Sequence, residues 1–300
     1  MSIVLFLLVA VLALFSSLLA WSQRSASTDE RELTVDWAEA IFVASVGVIV
    51  FTGWAGVVLA SFGFFSLPAL SLCLLGGAGA LLWLHRPLPR LRFARLGVHE
   101  FLLILLLLGF SILAFRPHEY VLGGADPGSY VNTGATVART GHLVLHDDWT
   151  ALLREHAPVT LRQLPPQWQP EYLQFVGWFI DDDDPARVIP QFFPFHPTLI
   201  AVGIALGGLY GGLLVTPLWA VLGLAAVYFL GRELFGPHVG LLAAVLLALT
   251  PTHIYFARYP TTEPLTLLLV FSSLFAFQQL YDRADATPAW GIFGGAALGA

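Results

Sequence analysis

The 300-residue chain is 57% hydrophobic and 11% charged, with a mean hydropathy of +0.76. Soluble domains carry about 25% charge, so an ordinary water-soluble fold is excluded. The net charge is -6, and no basic stripe marks a nucleic-acid binder. All basic residues are Arg, as a GC-rich bacterial genome would give, and the lone Cys73 lies in an apolar run, without a partner for a disulfide or a Cys-based metal site.

Apolar stretches near the length that crosses a hydrocarbon core of about 30 Å recur along the chain. The first spans Ile3 to Trp21 and lacks the basic start of a cleavable signal peptide. The next three run from Trp37 to Ala60, Leu67 to Leu84 and Val98 to Phe115. Between the last two, the connection 85–97 carries Arg86, Arg90, Arg92 and Arg95 and no acid. That asymmetry places it in the cytoplasm. The loop with Arg24 and Arg31 then also faces the cytoplasm, and the fourth span runs outward.

The segment 116–196 is therefore expected outside, with five Arg against ten acids. Its Pro- and aromatic-rich stretches (Pro165 to Trp168, Phe175 to Phe179, Pro190 to Pro197) suggest short amphipathic helices lying on the membrane. Val131 to Thr140 has an apolar face at helical spacing. Thr198 to Leu206 is too short to span before Gly207-Gly208 and Gly211-Gly212, and reads as a re-entrant or interfacial helix. Spans follow at Leu213 to Leu230, Val239 to Tyr255 and Leu265 to Tyr281. A further apolar segment begins at Ala289 and stops inside itself, as in the N-terminal part of a longer polytopic protein. Residues 1–97 thus form an N-terminal group of three spans and an Arg-rich loop, and 98–300 the start of a catalytic module.

Two carboxylates stand at span edges on the outer side of this count, Asp126 in Gly123-Gly124-Ala125-Asp126-Pro127-Gly128-Ser129-Tyr130, and Glu263 before Pro264. Ionisable groups at membrane depth are costly and tend to be functional. A carboxylate there can serve as a general base or as a ligand for a substrate or a divalent cation. Each also suits a helix start, an acid followed by Pro, and one residue can do both. Arg258 and Tyr259 lie beside Glu263, and Arg is suited to bidentate phosphate contact. Arg139, Arg116, Tyr130 and His196 are further substrate contacts to weigh. His142, His146, Asp147 and Asp148 match no metal motif, and Asp181 to Asp184 reads as a solvated loop tip with a weak Ca²⁺ site as the alternative.

Three pieces in order resemble the GT-C superfamily of polytopic glycosyltransferases, nearest to its protein O-mannosyltransferase and lipid A aminoarabinose transferase-like group. They are a span, an Asp-Pro-Gly-x-Tyr-like segment and a helix ending Ala138-Arg139-Thr140-Gly141; then Phe193-Pro194-Phe195-His196-Pro197-Thr198-Leu199-Ile200, a Gly-rich break and a span ending Leu230 to Gly236; then Leu249 to Arg258 with an acid a few residues on. The resemblance covers Phe101 to Tyr281. It implies an all-α transmembrane bundle and transfer of a sugar from a polyprenyl-phosphate-linked donor to a lipid, protein or glycan acceptor outside the cytoplasm. It implies catalytic roles for Asp126 and Glu263, which could also hold a divalent cation, and a multi-pass place in a bacterial plasma membrane. The three early spans and the long first loop depart from many relatives and bear on the acceptor class. A transporter or permease subunit is the alternative; it would place polar groups near the bilayer midplane on broken helices, whereas mid-span positions here are almost wholly apolar.

Overall fold

The computed structural model describes residues 2–22, 33–84, 91–93, 97–118, 126–156, 162–163, 172–175, 177–181, 183–282 and 288–300. Most of the Arg-rich connection, Gly123 to Ala125 and Pro165 to Trp168 lie outside the described residues. The chain divides into two compact units, one of residues 1–55, 67–117 and 216–300, the other of 56–66 and 118–215.

The first unit is helical. Its helices before the long loop are α1 (Ser2–Ser22), α2 (Trp37–Ser61), α3 (Leu67–Leu84) and α4 (Val98–Ala114). Asp36 caps α2, its Oδ1 accepting from the backbone N–H of Ala38 and Glu39 at 3.1 and 3.2 Å. A short parallel pairing of β1 (Leu33–Val35) with β2 (Leu91–Phe93) ties the two Arg-bearing connections together, Thr34 opposite Arg92.

The second unit starts with α5 (Asp126–Thr140), then β3 (Leu145–His146) and α6 (Asp148–His156). It continues with β4 (Arg162–Gln163), β5 (Tyr172–Phe175), β6 (Trp178–Asp181), β7 (Arg187–Pro190) and α7 (Phe195–Leu213). The strands form one antiparallel sheet in the order β3-β7-β6-β5-β4. Here the expectation of membrane-lying helices is corrected. Among the described residues of the loop only α6 fits it, exposing Trp149 and Leu152. The Tyr172–Pro190 stretch instead pairs as hairpins, because β-branched and aromatic residues suit a pleated surface and Phe175 and Trp178 face each other across a two-residue turn. Gly177 takes φ +85 there, which only glycine adopts without strain.

Helix α7 is not one straight rod. Gly207 and Gly208 leave helical geometry, Gly208 at φ 64 and ψ -164. A Cβ on Gly203 would stand 2.6 Å from the Gly211 carbonyl oxygen, and one on Gly211 2.4 Å from that of Gly203. Residues eight apart in a continuous helix are about 12 Å apart, so the chain doubles back at the glycine pair, as expected for a re-entrant segment.

The first unit resumes with α8 (Val215–Phe235), α9 (Pro237–Ala248), α10 (Pro251–Ala257), α11 (Glu263–Asp282) and α12 (Pro288–Leu298). By length and composition α2, α3, α7, α8 and α11 are long and apolar enough to cross a membrane, and α9 with α10, bent by 69°, forms a sixth candidate. The shorter Ile3–Leu14, Val98–Ala114 and Ala289–Leu298 are apolar as well. The expected all-α polytopic architecture holds, with a small sheet in the long loop as an addition.

Within the first unit, Phe110, Ala114, Ala220, Val221, Leu224, Ala248 and Ala257 form one buried cluster joining α4, α8, α9 and α10. Where α2 and α4 begin and α8 ends, Arg232 donates to Asp36 at 2.6 Å, to Glu39, and to Glu233 at 3.0 Å, with Glu100 3.8 Å away. Tyr228 donates to Glu100 at 3.0 Å. This network fixes α8 antiparallel to α2 and α4, the alternation expected of successive crossings.

Candidate active site

In the second unit, Asp126 is exposed on the first turn of α5, while the next five residues, Pro127 to Val131, are buried. Carboxylates are favoured at helix N-termini, where unpaired N–H groups concentrate positive potential. The burial behind it fixes the turn that carries it. Gly134 lets α5 lie close to α7: a Cβ there would be 2.9 Å from the Pro197 carbonyl oxygen and 2.7 Å from Ile200. The β5–β6 turn rests on the same helix, since a Cβ on Gly177 would meet Ser129 Oγ at 2.2 Å.

Tyr130 is buried between Phe192, with ring centroids 4.8 Å apart, and His196, at 5.5 Å edge-on. His196 is 2% exposed, and neither ring nitrogen has a hydrogen-bond partner. Buried polar atoms without partners are rare in folded proteins and ask for water or a ligand. Arg139 stands thirteen residues along α5 from Asp126, about 20 Å at 1.5 Å per residue, so the helix keeps these two apart.

In the first unit, Arg258 is the C-cap of α10, and its Nε donates to the Arg116 carbonyl at 2.6 Å, just past the end of α4. No carboxylate among the described residues pairs with the Arg258 guanidinium. Arg116 thus contributes its backbone to the placing of Arg258. Tyr259 stacks on Tyr255 at 5.1 Å, with Phe256 edge-on at 6.3 Å. Glu263 is exposed as the first residue of α11, with Pro264 and Leu265 buried behind it. At the same end, Thr216 Oγ1, Trp219 Nε1, His253 Nε2 and Thr261 Oγ1 are buried without hydrogen-bond partners. Sequence reasoning missed Thr216, Trp219 and Thr261 because no charge or motif marks them, and it quoted His253 only as part of the Leu249 to Arg258 piece.

No group of three His, Cys, Asp or Glu among the described residues is placed to hold a metal ion. His146 instead lies 3.7 Å from both Asp148 and Asp184. The described part of the acidic run closes the β6–β7 turn. Asp181 accepts from the Asp183 N–H at 3.1 Å and from Arg187 at 2.8 Å, and Asp184 accepts from the Ala186 N–H at 3.2 Å. The Asp183 N–H above all, with the Arg187 guanidinium beside it, holds the Asp181 carboxyl below the usual carboxylate range. Asp182 lies outside the described residues.

No curated protein and no solved structure matches the chain. Residues 190–300 match the family model of dolichyl-phosphate-mannose-protein mannosyltransferases. The matched region takes in His196, Arg258, Tyr259 and Glu263, and together with the apolar helices it supports a membrane glycosyltransferase of the GT-C type.

Proposed function

We propose that the chain transfers a sugar from a polyprenyl-phosphate-linked donor to a hydroxyl acceptor on the extracytoplasmic side of a bacterial plasma membrane. The observation that carries this reading is Asp126, an exposed carboxylate on the first turn of a helix whose next five residues are buried. Its carboxylate accepts the acceptor's O–H proton as the acceptor oxygen bonds to the anomeric carbon. The bond from that carbon to the phosphate oxygen breaks, and the polyprenyl phosphate leaves with the electron pair. Attack opposite the leaving group inverts the anomeric centre.

Arg258, in the first unit, is suited by its chemistry to contact a lipid phosphate. Glu263 orients a hydroxyl. Within the second unit Tyr130 and the orphan His196 lie behind the helix start that carries Asp126; within the first, the buried hydroxyls of Thr216 and Thr261 are suited to sugar hydroxyls.

The break between α9 and α10 would suit a transporter, but the charged residues beyond it, Arg258 and Glu263, collect past its outer end and not at mid-span. The test is transfer by the full-length protein in proteoliposomes across a panel of labelled polyprenyl-phosphate sugars. Product accessible from the outer face supports the reading; neither donor binding nor turnover with any member of the panel would sink it.

A further inference from the structure

We propose that His99 and His238 together bind a divalent transition-metal ion of the copper or nickel kind, held between the starts of α4 and α9. His99 Nε2 and His238 Nδ1 stand 3.0 Å apart. The ring centroids are 4.5 Å apart and the ring planes lie at 81°. His99 is half-buried and His238 exposed, so an ion in solution can reach the pair. Both residues belong to the first unit.

The two distances taken together select the arrangement. Imidazoles joined by an in-line N–H···N bond of this length would hold their centroids about 5.3 Å apart. On a tetrahedral ion, with metal–nitrogen bonds of about 2.0–2.1 Å, the nitrogens would be about 3.4 Å apart and the centroids about 5.2 Å. Two imidazoles meeting one ion at a right angle, with bonds of the same length, would give about 2.9 Å and about 4.5 Å. The observed pair fits the right angle and neither of the others. Right-angled nitrogen and oxygen ligands are the preference of Cu²⁺ and Ni²⁺. No third His, Cys, Asp or Glu among the described residues joins the pair, so water completes the coordination and the ion exchanges with solution.

The surroundings favour a cation. Glu100 follows His99 in the chain and belongs to the network in which Asp36, Glu39, Glu100 and Glu233 gather around the one guanidinium of Arg232. Carboxylates there outnumber the positive charge, and a local excess of one sign draws the opposite ion. The end of α8 that carries Arg232 packs on the start of α9 that carries His238: a Cβ on Gly231 would stand 2.8 Å from Gly240 Cα. The pair is also remote from Arg258. Helix α4 has 17 residues, about 25 Å at 1.5 Å per residue, with His99 on its first turn and the Arg116 carbonyl that holds Arg258 just past its other end. An ion here would clip α4 to α9 without touching the groups assigned to sugar transfer.

The experiment is titration of the full-length protein, in detergent and without a histidine tag, with Cu²⁺ followed by electron paramagnetic resonance. A bound ion coupled to two imidazole nitrogens is expected. His99→Gln and His238→Gln should each remove one coupled nitrogen and weaken binding at least several-fold. Ni²⁺ should raise the melting temperature of the wild type and leave that of either variant unmoved. In the wild type alone, Ni²⁺ should protect His99 and His238 from carbethoxylation by diethylpyrocarbonate, read by peptide mass spectrometry, which does not depend on how the variants fold. No bound ion, a signal and affinity unchanged in folded variants, or protection confined to other histidines would each overturn the proposal and leave the pair as a plain hydrogen bond.

Discussion

Asp126 keeps its shape but loses its basicity in Asp126→Asn, and general-base catalysis contributes about 10²–10⁴-fold. A rate loss of that size with donor binding retained is the expected outcome, read by single-turnover transfer and by donor titration. Arg258→Gln removes a charge-assisted contact worth about 1.5–3 kcal/mol. It should weaken polyprenyl-phosphate binding by about 10- to 100-fold in a competition assay. If Arg258 only met lipid headgroups, that affinity would not move. Asp181 gives the sign of one pH effect. Its folded value lies below the ordinary one, so its contribution to stability is present above the ordinary carboxylate range and fades as pH falls through the depressed value. Arg187→Gln should shift the Asp181 titration part of the way back up, followed by NMR of the β6–β7 turn; an unshifted curve would leave the backbone N–H groups of Asp183 and Asp184 as the cause.

At the scale of elements, the glycines of α5 and α7 carry specific geometry. Gly134→Val drives side-chain atoms into the Pro197 carbonyl and Ile200. Overpacking of this sort costs about 1–3 kcal/mol, and a lowered melting temperature in detergent is the check. The long apolar runs were legible because each is continuous and bounded by Gly, Pro or charge, and α3 begins and ends at the residues expected. The α7 reversal was legible from Gly207-Gly208. The sheet was not, because its strands are two to four residues long and aromatic residues with Pro suggest an interface as readily as a hairpin. Gly177 between Phe175 and Trp178 was the available signal. The partner of Gly177, Ser129 on α5, lies 48 positions earlier, and no local pattern encodes that contact.

Across the whole molecule, the crossing count and the α7 reversal together predict that the outer ends of both halves of the chain face the same solution. With Cys73 replaced, single cysteines at His142 and Thr262 should react with a membrane-impermeant maleimide from outside intact cells, and one at Arg90 only after lysis. Reaction of the first two from opposite sides would mean that α7 crosses as a full span. The Arg232 network was invisible in the sequence because Asp36 and Glu39 lie 196 and 193 positions from Arg232, and Glu100, on α4, also comes from a distant part of the chain. Its Arg and Glu39 side chains are only 13% and 8% exposed. Removing one member of a buried pair costs about 3–5 kcal/mol, so Arg232→Met should lower thermal stability sharply. Unchanged melting would show the pair to be solvated.

The central claim rests on one carboxylate. The most direct measurement is single-turnover transfer of a labelled sugar from its polyprenyl-phosphate donor by purified full-length protein, wild type beside Asp126→Asn, with donor binding measured on both. Transfer by the wild type and its loss in a variant that still folds and binds donor is the predicted result. A variant that transfers at the wild-type rate would contradict the assignment of Asp126 as the catalytic base.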